Sequence, residues 1–116
     1  MQERLPKSGW IEIFRWRFGR RHAFRVVGES MTPTLPPEAV IFFDPAAYDD
    51  SPPQVGDVVV ARHPFQSGLQ IVKRVAEVRE NGRYTLHSDN PVGSDSRGFG
   101  ALPRSHILGR VTSRLK

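Results

Sequence analysis

Leu69-Gln70-Ile71-Val72-Lys73-Arg74-Val75-Ala76-Glu77-Val78, followed by Asn81-Gly82 and Arg83-Tyr84-Thr85-Leu86-His87, is the stretch from which the fold follows. It reads as a long strand, a two-residue hairpin turn and a second strand, because Asn-Gly supplies the positive φ that such a turn needs. Alternate residues of a strand share a face, so Leu69, Ile71, Lys73 and Val75 form one row and the lysine sits on an apolar surface. Two fates are open to it. On an edge strand Lys73 would extend its stem and keep its ammonium in water. Held away from water it would tend to lose its proton, because desolvation disfavours the charged form, and it would then serve as a general base near neutral pH.

The same alternation extends outward. Phe24, Val26 and Gly28 lie on one face of an extended run, with Arg25, Val27 and Glu29 on the other. Ala39-Val40-Ile41-Phe42-Phe43 is a continuous apolar strand that must be covered on both faces, ended by Asp44-Pro45. Residues 44–54 read as a surface loop, and Gly56-Asp57 turns into the strand Val58-Val59-Val60-Ala61-Arg62. Residues 88–100 are polar and Gly-rich, and Ile107-Leu108-Gly109-Arg110-Val111 closes the sheet. With 116 residues, 38% hydrophobic content, 10 Pro and 10 Gly, the chain is one modest, turn-rich, mainly β domain. It contains no cysteine, which excludes disulfide staples, thiolate metal sites and a cysteine nucleophile. His22, His63, His87 and His106 lack ligand spacing, so neither a metal nor another cofactor is expected.

The net charge of +5 resides at the front of the chain. Residues 1–25 carry Arg4, Lys7, Arg15, Arg17, Arg20, Arg21 and Arg25 against Glu3 and Glu12, whereas the remainder is neutral. A basic front end on a neutral body implies a local contact rather than a nucleic-acid grip spread over the fold. Trp10, Phe14 and Phe18 would share a helical face, while Phe14, Trp16 and Phe18 would share a strand face, so the period is ambiguous. Rings beside arginines suit an interfacial membrane helix. They would equally cover the β core or a partner chain. Residues 1–21 are expected to form this basic aromatic segment and 22–116 the folded body. No apolar run is long enough to span a bilayer or to act as a secretion signal, so a cytoplasmic protein, peripheral at a membrane through residues 10–21, is expected.

Gly28-Glu29-Ser30-Met31-Thr32-Pro33-Thr34-Leu35 joins the first apolar run to a proline-bearing turn. Ser30 is either an ordinary turn hydroxyl or a nucleophile. The motif Ser30-Met31-x-Pro33-Thr34-Leu35, followed by Ile71-Val72-Lys73-Arg74-Val75, resembles the serine and lysine boxes of type I signal peptidases. Ser88-Asp89-Asn90-x-x-x-Ser94-Asp95-Ser96-Arg97 resembles a third box of that family, and the three together cover roughly residues 24–111. The resemblance implies coiled antiparallel sheets like those of signal peptidases and self-cleaving repressors. It also implies a serine endopeptidase in which Ser30 attacks the scissile carbonyl, Lys73 is base and then acid, and the backbone N–H of Ser30 holds the oxyanion. Related enzymes can add a hydroxyl two residues before the nucleophile, where this chain has Gly28.

By the same resemblance Ser94 would orient the lysine, and Asp95 would pair with Arg97 beneath the site. Phe24, Val26, Gly28, Met31, Leu35, Ile71 and Val72 would line the pockets of a substrate added as an extended strand. The chain departs from the family pattern in having Ser88 where Gly is usual, Pro37-Glu38 where a Gly-Asp turn usually follows, and one residue fewer between Asn90 and Asp95. Within the family, Arg25-Val26-Val27-Gly28-Glu29-Ser30-Met31 and Gly56-Asp57-Val58-Val59-Val60-Ala61-Arg62-His63-Pro64 look like nickel-type superoxide dismutase maturation proteases. That likeness implies a precursor partner whose N-terminal leader is removed. The alternatives are a signal peptidase acting on exported precursors at the membrane surface and, in a different class, a non-catalytic small β-barrel. Self-cleaving repressors share the dyad, but no Ala-Gly pair is present for self-cleavage.

Overall fold

Val58-Val59-Val60-Ala61 is apolar at every position because this strand is covered on both faces. Val58 and Val60 enter one hydrophobic cluster, whereas Val59 and Ala61 enter another. The computed structural model describes residues 5, 7, 9–26, 30–90 and 100–115. Its elements are α1 (Trp10–Arg17), β1 (His22–Arg25), β2 (Val40–Asp44), β3 (Val58–Arg62), β4 (Gln70–Val78), β5 (Arg83–His87), β6 (Leu102–Pro103) and β7 (Ile107–Leu115). The strands form one seven-stranded sheet in the order β1-β2-β7-β3-β4-β5-β6, and every pairing is antiparallel. The mainly β expectation holds. β4 lies between β3 and β5, so Lys73 is not on an edge.

One sheet encloses two cores because it bends. The first core gathers Val26, Met31, Leu35, Ile41, Phe43 and Val111 around Val58 and Val60. The second gathers Tyr48, Val75, Tyr84, Leu86, Leu102 and Ile107 around Val59 and Ala61. Register shifts interrupt the β2–β7, β3–β7 and β4–β5 ladders and leave Thr112, Leu108 and Ala76 respectively as extra residues. Such bulges bend a strand and increase its twist, which turns the two wings of the sheet toward different cores.

The hairpin between β4 and β5 is present, but its turn differs from the two-residue expectation. Arg79 N–H donates to Arg83 O at 2.8 Å and Gly82 N–H to Arg79 O at 3.0 Å, so the loop is Glu80-Asn81-Gly82. Gly82 alone takes positive φ, at 79°, whereas a two-residue type I′ turn would need positive φ at Asn81 too. A turn completed by one left-handed glycine is satisfied with less demand on Asn81.

The ambiguous N-terminal period resolves as a helix. α1 docks through its polar side: Glu12 accepts from Arg21 Nε at 2.6 Å and from Thr112 Oγ1, the bulge residue of β7, at 2.7 Å. Trp16 lies 5.9 Å from the ring of Phe42, yet no residue of α1 is buried. Trp10, Phe14 and Phe18 instead face outward. Those three rings therefore do not cover the β core, whereas Trp16 lies against the buried Phe42.

Gly109, where β7 passes β2, has no room for a side chain. A Cβ there would lie 2.5 Å from the Asp44 carbonyl oxygen and 2.8 Å from a ring carbon of Phe43. Gly109→Ala should therefore destabilise the fold by about 1–3 kcal/mol, read as a lower urea midpoint at unchanged slope, and an unchanged midpoint would show that β2 and β7 can separate freely.

Candidate active site

The turn bearing Ser30 is fixed to the first core by residues that follow it. Met31 and Leu35 are fully buried, and Leu35 N–H donates to Met31 O at 2.8 Å. The Thr32–Pro33 peptide bond between them is cis. Ser30 itself is half-buried. Its carbonyl accepts the Asn90 N–H at 2.8 Å, which ties the serine turn to the segment following β5.

That segment also reaches the lysine strand. Lys73 is 4% exposed, and its Nζ donates to Ser88 Oγ at 2.6 Å. The register explains the contact. Arg74 pairs with His87 across β4 and β5, so one step further along the same ladder sets Ser88 opposite Lys73. On the other flank Lys73 pairs with Val59, whose face belongs to the second core. The lysine is therefore flanked by apolar side chains and reaches a hydroxyl at its tip, the environment in which desolvation acts against an ammonium.

Between Ser88 and Asn90, Asp89 ties three parts of the chain together. Arg74 grips its carboxylate with two bonds, Nε to Oδ1 and Nη2 to Oδ2, both 2.9 Å. Thr34 Oγ1 in the serine turn donates to Asp89 Oδ2 at 2.6 Å. Arg74 Nη1 continues to the Gly56 carbonyl at 2.7 Å. The Asp89 side chain is only 2% exposed and that of Arg74 12%. Removing either partner of such a buried pair strands the other charge, at a cost of roughly 3–5 kcal/mol.

Chemically, the arrangement offers a serine hydroxyl and a sequestered amine, each tied to one tripeptide. Ser88 holds the lysine, Asp89 the lysine strand and serine turn together, and Asn90 the main chain of Ser30. No group of three or more His, Asp or Glu residues able to hold a metal occurs among the described residues.

The other expected site residues divide. Val26, Met31, Leu35 and Val72 lie in the first core, with Phe24 packed against it. Ile71 lies on the opposite face of β4, against the second core. Of these, Phe24 and Ile71 retain exposed surface, while Met31 and Leu35 are closed off. Gly28, Ser94, Asp95 and Arg97 lie outside the described residues. The Arg74–Asp89 pair and the Ser88 contact are additions to what the sequence suggested. Arg74 and Asp89 stand inside the quoted boxes, but only the strand register brings them together.

No curated protein matches this sequence. The family described as signal peptidase, peptidase S26, matches residues 11–78, which include Ser30, Lys73 and Arg74 and exceed half of the chain. With the bent antiparallel sheet and the serine turn tied to the lysine strand, that match places the chain in the signal peptidase S26 family of serine peptidases.

Proposed function

We propose that the chain is an endopeptidase with a Ser30–Lys73 dyad, residues 22–116 forming its catalytic domain, that removes an N-terminal leader from a precursor protein. The observation that carries this reading is the burial of Lys73 on a central strand, joined by the 88–90 segment to the main chain of Ser30. In the neutral state the Lys73 amine takes the Ser30 Oγ proton as the oxygen bonds to the scissile carbonyl carbon. The Ser30 backbone N–H faces the resulting oxyanion, and Gly28 adds no side-chain donor. Collapse breaks the C–N bond, and the proton on Lys73 passes to the leaving amine. Water then enters and gives a proton to Lys73 as its oxygen bonds to the acyl carbon; collapse breaks the C–Oγ ester bond, Ser30 Oγ takes the proton back from Lys73, and the new carboxyl terminus is released.

The preferred precursor is the nickel-type superoxide dismutase proenzyme, on the strength of the Val26-to-Met31 and Gly56-to-Pro64 likeness. Exported precursors are the competing substrate. Incubation of both precursor types with the full chain, followed by N-terminal sequencing, separates them: a single new terminus on the dismutase precursor supports the preferred assignment, and cleavage of exported precursors alone rejects it.

Ser30→Ala and Lys73→Met should each lower leader cleavage by at least about 10³-fold with unchanged circular dichroism. Activity retained by either variant would sink the dyad. An amine withdrawn from water binds its proton less tightly than the ordinary lysine value of about 10.4. Cleavage should therefore rise with pH to a plateau as Lys73 becomes neutral, and a flat acid-to-alkaline profile counts against a lysine base.

The outward face of α1 suits an anionic lipid surface. Trp10 is 77% exposed, Phe14 57% and Phe18 66%. A shallow groove of about 400 Å³ is lined by Ile11, Phe14 and Phe18 together with Arg15 and Arg20. Rings would enter the headgroup boundary while the guanidinium groups meet lipid phosphates. Among the described residues no helix is long and apolar enough to cross a membrane. The full chain should co-sediment with phosphatidylglycerol-containing vesicles, less so at high salt and in Phe14→Asp. Equal recovery with neutral and anionic vesicles, or self-association through this face without lipid binding, would reject the assignment.

A further inference from the structure

We infer that Ser88 is a residue that positions the Lys73 amine for catalysis, beside the role that the family resemblance gives Ser94, an inference that rests on the Ser30–Lys73 reading. Three observations converge on it. Lys73 Nζ donates to Ser88 Oγ at 2.6 Å, a short charge-assisted geometry. Lys73 is 4% exposed, so bulk water does not compete freely for the amine. The backbone brings the two residues side by side, because the last pair of the ladder, Arg74 with His87, lies immediately beside them.

The bulge at Ala76 decides which residue meets the lysine. Val78 pairs with Tyr84 and Glu77 with Thr85, but beyond Ala76 the register slips so that Val75 pairs with Leu86. Had the first register continued, Asp89 would stand opposite Lys73. A carboxylate there would pair with the ammonium and hold it protonated. The slip instead presents a hydroxyl, while Asp89 is claimed by Arg74 and Thr34. Ser88 thereby fixes one N–H of the lysine without adding a charge.

The consequence for catalysis is directional. A neutral amine has one lone pair, and rotation about Cε–Nζ would point it at random. With one N–H donated to Ser88 Oγ, the lone pair is confined to the remaining positions around the nitrogen. The same bond also stabilises the ammonium once Lys73 has taken the serine proton. Among the described residues, charged and titratable neighbours include the mutually paired Arg74 and Asp89, His87 on the adjoining strand, and Arg110, which pairs with Val59 two strands across on the lysine's face.

The test uses Ser88→Ala, Ser88→Cys and Ser88→Thr in the full chain with a cleavable leader peptide. Ala removes the acceptor, Cys keeps the size with a weaker acceptor, and Thr restores the hydroxyl. Loss of orientation should lower kcat on the order of 10–100-fold in Ala and Cys with little change in KM. Without its acceptor the ammonium is less stabilised, so the acid limb of the pH profile should move to lower pH in both. Thr should recover the wild-type limb and most of kcat. A merely structural role would lower the unfolding midpoint and leave the limb in place. Wild-type kcat and limb in folded Ser88→Ala overturn the inference; if Ala fails to fold, the same result in Ser88→Cys does so. The Lys73→Met variant separates the two readings, because an active Lys73→Met defeats the dyad, whereas an inactive one beside unaffected Ser88 variants defeats only the role of Ser88.

Discussion

The Asp89 carboxylate is the constraint on which the site depends. It is nearly excluded from water, gripped by the Nε/Nη2 edge of the Arg74 guanidinium and capped by the Thr34 hydroxyl. A buried carboxylate is costly unless its lone pairs are satisfied, so the chain is committed to an arrangement in which the serine turn, β4 and the segment after β5 meet. The planar fork of arginine matters because it fixes orientation as well as charge; a lysine at position 74 would supply a cation without the two-pronged geometry. The pair is best understood as specifying geometry, since buried ion pairs contribute little net stability over apolar packing.

From that anchor the neighbouring residues acquire their places. Ser88 and Asn90 flank Asp89 and reach Lys73 and the Ser30 carbonyl respectively. The serine turn is held from beneath by Met31 and Leu35 in the first core, while Lys73 stands among the residues of the second. The 88–90 segment thus links a turn rooted in one core to a strand face rooted in the other. Supporting groups on rigid elements hold reactive atoms more accurately than a loop alone could.

Much of this was legible in the residues. β3 has the bounds that Gly56-Asp57 and the Val58–Arg62 run suggested, and β4 and β5 follow the apolar alternation on either side of Asn81-Gly82. What the sequence could not give was register. Nothing in Val75-Ala76-Glu77 marks a bulge, yet that one extra residue moves Ser88 rather than Asp89 opposite Lys73. The loop also begins one residue earlier than Asn-Gly alone suggested, because only Gly82 takes positive φ. At the N-terminus the rings fitted two periods equally well. The contact that favours a helix, Glu12 with Arg21 and Thr112, links residues far apart in the chain and has no local signature. Ser88 stood out only as a departure from the family pattern, and its use became visible once its partner was known.

The central claim is that Ser30 carries the covalent intermediate, and the most direct measurement is mass spectrometry of the acid-quenched reaction with a leader-peptide ester. The account predicts a peptide-acyl adduct on the fragment containing Ser30 during turnover, and no adduct in Ser30→Ala. An acyl group on any other residue, or ester turnover at the wild-type rate by Ser30→Ala, would contradict it.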